Sequence, residues 1–273
     1  MNNKLKGTGV AMVTPFHKYG TVDFNSLGRL IEHLIHNSTD YLVVLGTTGE
    51  TATMSKDERN AVKDFVVETV DSRVPVVLGI GGNNTQEVIT VITSSDFSGI
   101  DAILSVTPYY NKPQQKGLYY HYRNIATASP LPVILYNVPG RTGVNMSVET
   151  TLRLAEEFNN IIAIKEASGD MMQIMQIINN RPEGFLVISG DDALTLPLVL
   201  MGADGVISVA ANAFPQEMSD MVKFGLKGKI KEASKIHYAL LPLIEALFLD
   251  GSPAGIKATL EILGICPNNL RLP

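Results

Sequence analysis

The sequence predicts an α/β protein folded as a closed (β/α)8 TIM barrel with additional C-terminal helices. Eight short apolar runs recur along its 273 residues, and each gap between them holds one helix and two loops, the length of a βα unit. Segments resembling capping boxes, Ser55-x-x-Glu58, Asn84-x-x-Glu87 and Asp170-x-x-Gln173, open helical patterns inside those gaps. No linker or break of composition suggests a second domain. A doubly wound open sheet is the alternative, but no Gly-x-Gly-x-x-Gly follows the first run.

The runs cover residues 9–14, 41–47, 74–80, 102–106, 133–138, 161–167, 185–190 and 205–211. Their aliphatic and β-branched residues succeed one another as in parallel strands buried on both faces. Residues 1–213 are assigned to the barrel. Residues 214–273 form a helical extension packed on the same domain, with helices expected at 215–227, 229–249 and 253–263. Leu240, Leu241, Ile244, Leu247 and Phe248 recur at helical spacing, which suits packing on the barrel or on a partner subunit.

Composition narrows the function classes. Hydrophobic residues make up 45% of the chain, enough for a substantial core, and the net charge is −5. No basic cluster exists to attract nucleic acid or anionic lipid. The first seven residues lack the apolar core of a secretory signal, and no apolar stretch is long enough to cross a bilayer. The single cysteine, Cys266, excludes an intrachain disulfide and suits a reducing cytoplasm, where it is read as a small core hydrophobe. The histidines His17, His33, His36, His121 and His237 are scattered without metal-ligand pairing, so no metal is expected.

Lys165 is the most informative residue. It closes the run Ile161-Ile162-Ala163-Ile164, placing an amine at the carboxyl end of a buried strand. Desolvating an ammonium is costly, and a neutral amine is a nucleophile toward carbonyl carbon, so Lys165 is a candidate Schiff-base lysine. The plainer reading has it snorkel to a rim or pair with Glu166.

In such a barrel the active site lies at the carboxyl ends of the strands. Strand two ends in Gly46-Thr47-Thr48-Gly49-Glu50, whose hydroxyls and backbone N–H groups suit a carboxylate. Strand four ends in Thr107-Pro108-Tyr109-Tyr110-Asn111, where either tyrosine taken singly is a space-filling residue. Strand five ends in Tyr136-Asn137-Val138-Pro139-Gly140-Arg141, and Arg141 taken singly reads as a solvated loop residue. Strand seven ends in Ser189-Gly190-Asp191-Asp192, whose acidic pair is read as the cap of a helix at 193–201 rather than a metal site. Strand eight contributes Ile207 through Asn212. One amine, several phenols and hydroxyls, and one guanidinium together suit carbonyl chemistry on an anionic substrate.

The segments GTTGET (46–51), VTPYYNKP (106–113), YNVPGRTG (136–143), IKEASGD (164–170), SGDDA (189–193) and GADGVISVAAN (202–212) resemble the dihydrodipicolinate synthase family in register over residues 7–273. The resemblance implies a class I lyase of lysine and diaminopimelate biosynthesis. It would condense pyruvate with aspartate 4-semialdehyde without metal or organic cofactor, as a homotetramer built from two dimers. It also implies an imine on Lys165 and a proton relay of Tyr136, Thr47 and Tyr110, with Tyr110 entering from the neighbouring subunit. Thr48, with backbone at Gly190 and Ile207, would hold the pyruvate carboxylate, and Arg141 that of the semialdehyde. A phenol with a pKa near ~10 is a weak base alone, but a hydroxyl chain lets it pass protons without accumulating charge.

The related N-acetylneuraminate lyases share the barrel and the lysine but generally lack an arginine at the position of Arg141. Such a lyase, or another keto-sugar-acid aldolase, is the alternative. A non-catalytic ligand-binding barrel would have no use for the lysine, relay and arginine together. Two departures from the family pattern stand out. Members normally continue past the segment matching Leu270–Pro273 into a final helix that this sequence does not include. Lysine-sensitive bacterial members carry histidines in the helix after GTTGE, where this chain has Lys56 and Arg59, although Asn83, Glu87 and Tyr109 match other positions of that allosteric site. The added cations lead to the expectation of weak or absent inhibition by lysine.

Overall fold

A computed structural model describes residues 2–273. Eight parallel strands run β1 (Gly7–Ala11), β2 (Tyr41–Val44), β3 (Val76–Gly79), β4 (Ala102–Val106), β5 (Val133–Asn137), β6 (Ile161–Glu166), β7 (Leu186–Ser189) and β8 (Gly205–Ser208). Each pairs with the next, and β8 pairs with β1 to close the barrel. The helices in order are α1 (Phe24–His36), α2 (Lys56–Val70), α3 (Thr85–Ser94), α4 (Gln115–Ala128), α5 (Pro139–Thr142) and α6 (Val148–Glu157). They continue as α7 (Met171–Asn180), α8 (Thr195–Leu200), α9 (Pro215–Leu226), α10 (Ile230–Leu247) and α11 (Ala254–Ile262).

Strand alternation splits the core in two. Tyr41, Val43, Val77, Leu104, Ile134, Ile188 and Ile207 fill the barrel interior. Leu42, Val44, Val76, Ile103, Leu135 and Ile164 face the helices. Gly9 is required by the first set: a Cβ there would lie 2.2 Å from the Tyr41 ring, which occupies the space a side chain on β1 would need.

Several strands end earlier than the apolar runs suggest, because their last residues leave the sheet to build the mouth of the barrel. After β2, Leu45 turns through a φ of 57° and residues Thr47–Gly49 form a 3-10 turn. After β8, Ala210–Asn212 form another, held by Asp192 Oδ2, which accepts from Val209 N at 3.1 Å and Ala210 N at 2.9 Å. The acidic pair is therefore divided. Asp191 Oδ1 accepts from Ala193 N and Leu194 N and caps the turn leading into α8, whereas buried Asp192 braces the neighbouring strand end.

The Ser55/Glu58 capping box is complete. Asn84 caps α3 through its own side chain, and Asp170 caps α7, but Gln173 does not return the bond. Its amide is drawn inward to Glu166 instead, at 2.9 Å.

Helix α9 packs on β8, β1 and α8, where the eighth barrel helix belongs, and α10 and α11 follow it. Leu240, Ile244 and Leu247 are buried, while Phe248 stays exposed. The C-terminal segment is tied across the barrel mouth by charge. Lys257 of α11, with 0% exposure, pairs with Glu50 and donates to Asn269 O at 2.8 Å, its ammonium 4.3 Å from the centre of the Phe16 ring. Arg271 donates to Glu50 Oε2 through its backbone N–H at 2.9 Å and to Glu58 through its guanidinium. That guanidinium holds the Glu58 carboxyl down at about 2.

Candidate active site

The parallel register places Tyr136 beside Lys165 and Asn137 beside Glu166. Because side chains alternate, Tyr136 and Lys165 point into the barrel mouth while Asn137 and Glu166 point toward the helices. This excludes the pairing of Lys165 with Glu166. Lys165 is 5% exposed, its Nζ stands 4.4 Å from the centre of the Tyr136 ring, and it makes no ion pair or hydrogen bond among the described residues. A Cβ on Gly190 would come within 3.0 Å of Lys165 Cε, so only glycine at the end of β7 leaves the lysine its channel.

The remaining candidates lie at or just beyond the carboxyl ends of β2, β4, β5, β7 and β8. Thr48 is buried in the turn after β2, and Thr47 beside it is exposed to the mouth. Ile207 is fully buried on β8. Arg141 sits on the single-turn helix α5, exposed, with its Nη2 donating to Ser252 O at 3.3 Å across the mouth. Gly143 ends that turn at a φ of 70°, and the Lys112 side chain lies against it, so the loops after β4 and β5 are in contact.

Tyr110 departs from its companions. It is 88% exposed, its φ is 75°, and no hydrogen bond joins it to Tyr136 or Thr47 among the described residues. A left-handed aromatic residue is an uncommon, strained conformation, and here it accompanies a phenol exposed to solvent.

Of the regulatory candidates, Asn83 accepts a long hydrogen bond of 3.5 Å from Asn111 Nδ2, on the loop that carries Tyr109. Glu87 is exposed in the first turn of α3. Lys56 and Arg59 lie in the first turn of α2, and among the described residues no hydrogen bond or ion pair links them to Asn83, Glu87 or Tyr109. Among the described residues no three His, Cys, Asp or Glu side chains converge.

Behind Lys165 lies a polar network absent from the sequence-based candidates. Glu166, fully buried, accepts from Asn137 Nδ2 at 3.1 and 3.2 Å, Gln173 Nε2 at 2.9 Å and Ser168 N at 2.8 Å. Burial pushes its carboxyl up, against the pull of those donors. The only signal in the sequence is the pair of polar residues, Asn137 and Glu166, each directly following a candidate catalytic residue.

Comparison with known proteins decides the family. The model of the dihydrodipicolinate synthetase family matches residues 4–273. The chain belongs to this family. The 4-hydroxy-tetrahydrodipicolinate synthase of Parabacteroides distasonis is 54% identical over 269 residues, covering 98% of this chain and 91% of the relative. Dihydrodipicolinate synthase of Acinetobacter baumannii, solved in complex with pyruvate, superposes with a TM-score of 0.95 at 42% identity, covering 98% of this chain and 92% of the other. The enzyme from Cyanidioschyzon merolae, solved with lysine bound, gives the same TM-score and identity over 99% of this chain and 92% of the other. For a dihydrodipicolinate synthetase family barrel, the strand ends that gather Lys165, Tyr136, Thr48 and Gly190 are the face where chemistry is expected.

Proposed function

We propose that this chain condenses pyruvate with aspartate 4-semialdehyde to 4-hydroxy-tetrahydrodipicolinate, in lysine and diaminopimelate biosynthesis, through an imine on Lys165. The carrying observation is the buried amine of Lys165, uncommitted to any acid and set over Tyr136 at the carboxyl end of β6. Membership of the family and relatives named for this activity support the same reading.

The chemistry follows from the groups. The lysine nitrogen attacks the ketone carbon of pyruvate, water leaves, and a protonated imine forms. Its positive nitrogen draws electrons from the adjacent methyl group, which loses a proton to give an enamine. The enamine carbon attacks the aldehyde carbon of the second substrate, which restores the protonated imine while the aldehyde oxygen takes a proton to become a hydroxyl. That substrate's amino group then attacks the imine carbon and displaces the Lys165 amine, closing the ring and freeing the lysine. Tyr136 moves protons at the imine through Thr47 and a partner's Tyr110. The Thr48 hydroxyl and the backbone at Gly190 and Ile207 hold the pyruvate carboxylate, and Arg141 offers a planar fork to the carboxylate of the semialdehyde.

The deciding experiment is an assay of pyruvate consumption with aspartate 4-semialdehyde, run beside N-acetylneuraminate cleavage. Turnover is expected only in the first. Arg141→Ala is expected to keep forming the pyruvate imine while kcat/KM for the semialdehyde falls roughly a hundredfold, the worth of a charge-assisted bidentate contact. Equal loss in both half-reactions would remove Arg141 from that role.

Assembly follows from Tyr110. Its exposed phenol completes a site only across an interface, so the functional unit is a dimer, with two dimers forming a tetramer. Mixing Tyr110→Phe with Lys165→Ala protein is expected to restore activity once subunits exchange, because one site of each mixed dimer is then intact. No recovery after demonstrated exchange rules the shared site out. Residues 214–273 belong to the same folding unit as the barrel. The buried thiol Cys266 suits a reducing compartment, and no helix among the described residues is long and apolar enough to cross a membrane, so the cytoplasm is the location this reading takes.

A further inference from the structure

We propose that Asn137 and Glu166 are positioning residues: their contact outside the barrel sets the register that brings Tyr136 over Lys165 inside it, and anchors the turn that bears Arg141. The inference rests on the reading of Lys165 as the imine-forming residue and adds what holds that residue in place.

Three observations support it. First, the β5–β6 ladder is irregular. Its register shifts between Val133 and Ile134, so the backbone pairing near the amino ends does not by itself fix which residues meet at the carboxyl ends. A one-residue slip turns every side chain to the opposite face, which would move the amine out of the mouth. Asn137 and Glu166 are the partnered residues immediately beyond Tyr136 and Lys165, and both have 0% exposure.

Second, the network is more heavily bonded than its location demands. Asn137 Nδ2 serves both oxygens of Glu166 and also donates to Asn145 Oδ1 at 2.8 Å. Gln173 closes the ring by donating to Glu166 and accepting from Asn145 Nδ2 at 2.8 Å. A carboxylate held away from water at this position is costly, and an apolar pair would pack there at less expense. Its burial is balanced only while Asn137, Gln173 and the Ser168 N–H all face it, a condition that a shifted register cannot meet.

Third, Asn137 reaches past the strand. Its Oδ1 accepts from Met146 N at 3.0 Å, and Asn145 beside it is held through its carbonyl by Gln115 Nε2 at 2.8 Å. Residues 138–146, which include Arg141, are thus pinned at both ends to the same asparagine.

Asn137→Ala tests the inference, with Asn137→Leu/Glu166→Met as the variant that replaces the Asn137–Glu166 contact by apolar packing. Melting temperature, kcat, the KM of each substrate and the rate of borohydride trapping with pyruvate are measured below the melting point of each protein. Both variants are expected to lose at least about tenfold in kcat and in trapping rate. The KM for aspartate semialdehyde is expected to rise by more than that for pyruvate as Arg141 loosens. The double variant is expected to melt lower, because Gln173 Nε2, Ser168 N and Met146 N lose their acceptors, so its kinetics are compared with the parent's at a temperature where both are folded. A double variant with kcat and trapping within about twofold of the parent would reduce the network to a structural one and overturn the proposal. Absence of any adduct on Lys165 in the parent protein would instead overturn the imine reading on which it stands, and the two failures are distinct.

Discussion

Lys165→Ala is expected to give a folded barrel with at least about a thousandfold lower turnover. The loss is large because the residue supplies the bond-forming nitrogen, and no neighbouring group replaces it: Glu166 points to the opposite face, and Tyr136 carries no amine. The cost to stability is modest. Among the described residues the lysine makes no ion pair, and its ring contact with Tyr136 is worth about 2 kcal/mol in a desolvated site. In the parent protein, pyruvate with borohydride should leave a single stable adduct, on Lys165. Lys257 is the internal control, since it is more deeply buried yet committed to Glu50 and Asn269 O. Peptide mapping after reduction reads the outcome, and an adduct on Lys257 or on any surface lysine would sink the mechanism.

The contrast between these two lysines marks what the sequence could and could not disclose. Lys165 was legible because a charge terminates an uninterrupted aliphatic strand, and such strands are recognisable when both faces are buried. The barrel was legible for the same reason, repeated eight times, with Ser55 and Glu58 announcing a helix between repeats. Lys257 lies in a helix between Ile256 and Leu260, where a long side chain ordinarily reaches solvent, and nothing local reveals Glu50 as its partner. Glu166 misled in the other direction: adjacency to Lys165 suggested a pair, whereas alternation separates them and delivers Asn137 and Gln173 from elsewhere in the chain. Strand ends were overextended because residues such as Leu45 and Ala210 have apolar side chains but leave the ladder. Tyr110 was assigned to a neighbour by resemblance, and its exposure and left-handed backbone are features that no pattern of side chains encodes.

The second large effect is expected at Lys257. Its pairing with Glu50 is the tie between α11 and the turn that carries Thr47 and Thr48, and burial presses the Lys257 ammonium pKa downward while Glu50 pulls it back. Removing one partner of such a pair strands the other's charge in a water-poor site, which typically costs about 3–5 kcal/mol. Lys257→Met and Glu50→Met are each expected to lower the melting temperature by roughly 10 °C, since a chain of this size shifts by about 2–4 °C per kcal/mol. Lys257→Met should be the worse, because the Glu50 carboxylate left behind loses its ion-pair partner and keeps the Arg271 backbone N–H as its donor among the described residues. Combining Lys257→Met with Glu50→Met removes both charges, and much of the loss should return as apolar packing beside Phe16 replaces the ion pair. The recovery should be confined to stability. Glu50 occupies a left-handed position at the end of the Thr47–Gly49 turn, so freeing it lets Thr48 drift, and the KM for pyruvate should stay raised in the double variant. Thermal melts of the four proteins give the coupling energy directly. A value under about 1 kcal/mol would mean that the buried pair does not hold the C-terminal helices to the active-site turn.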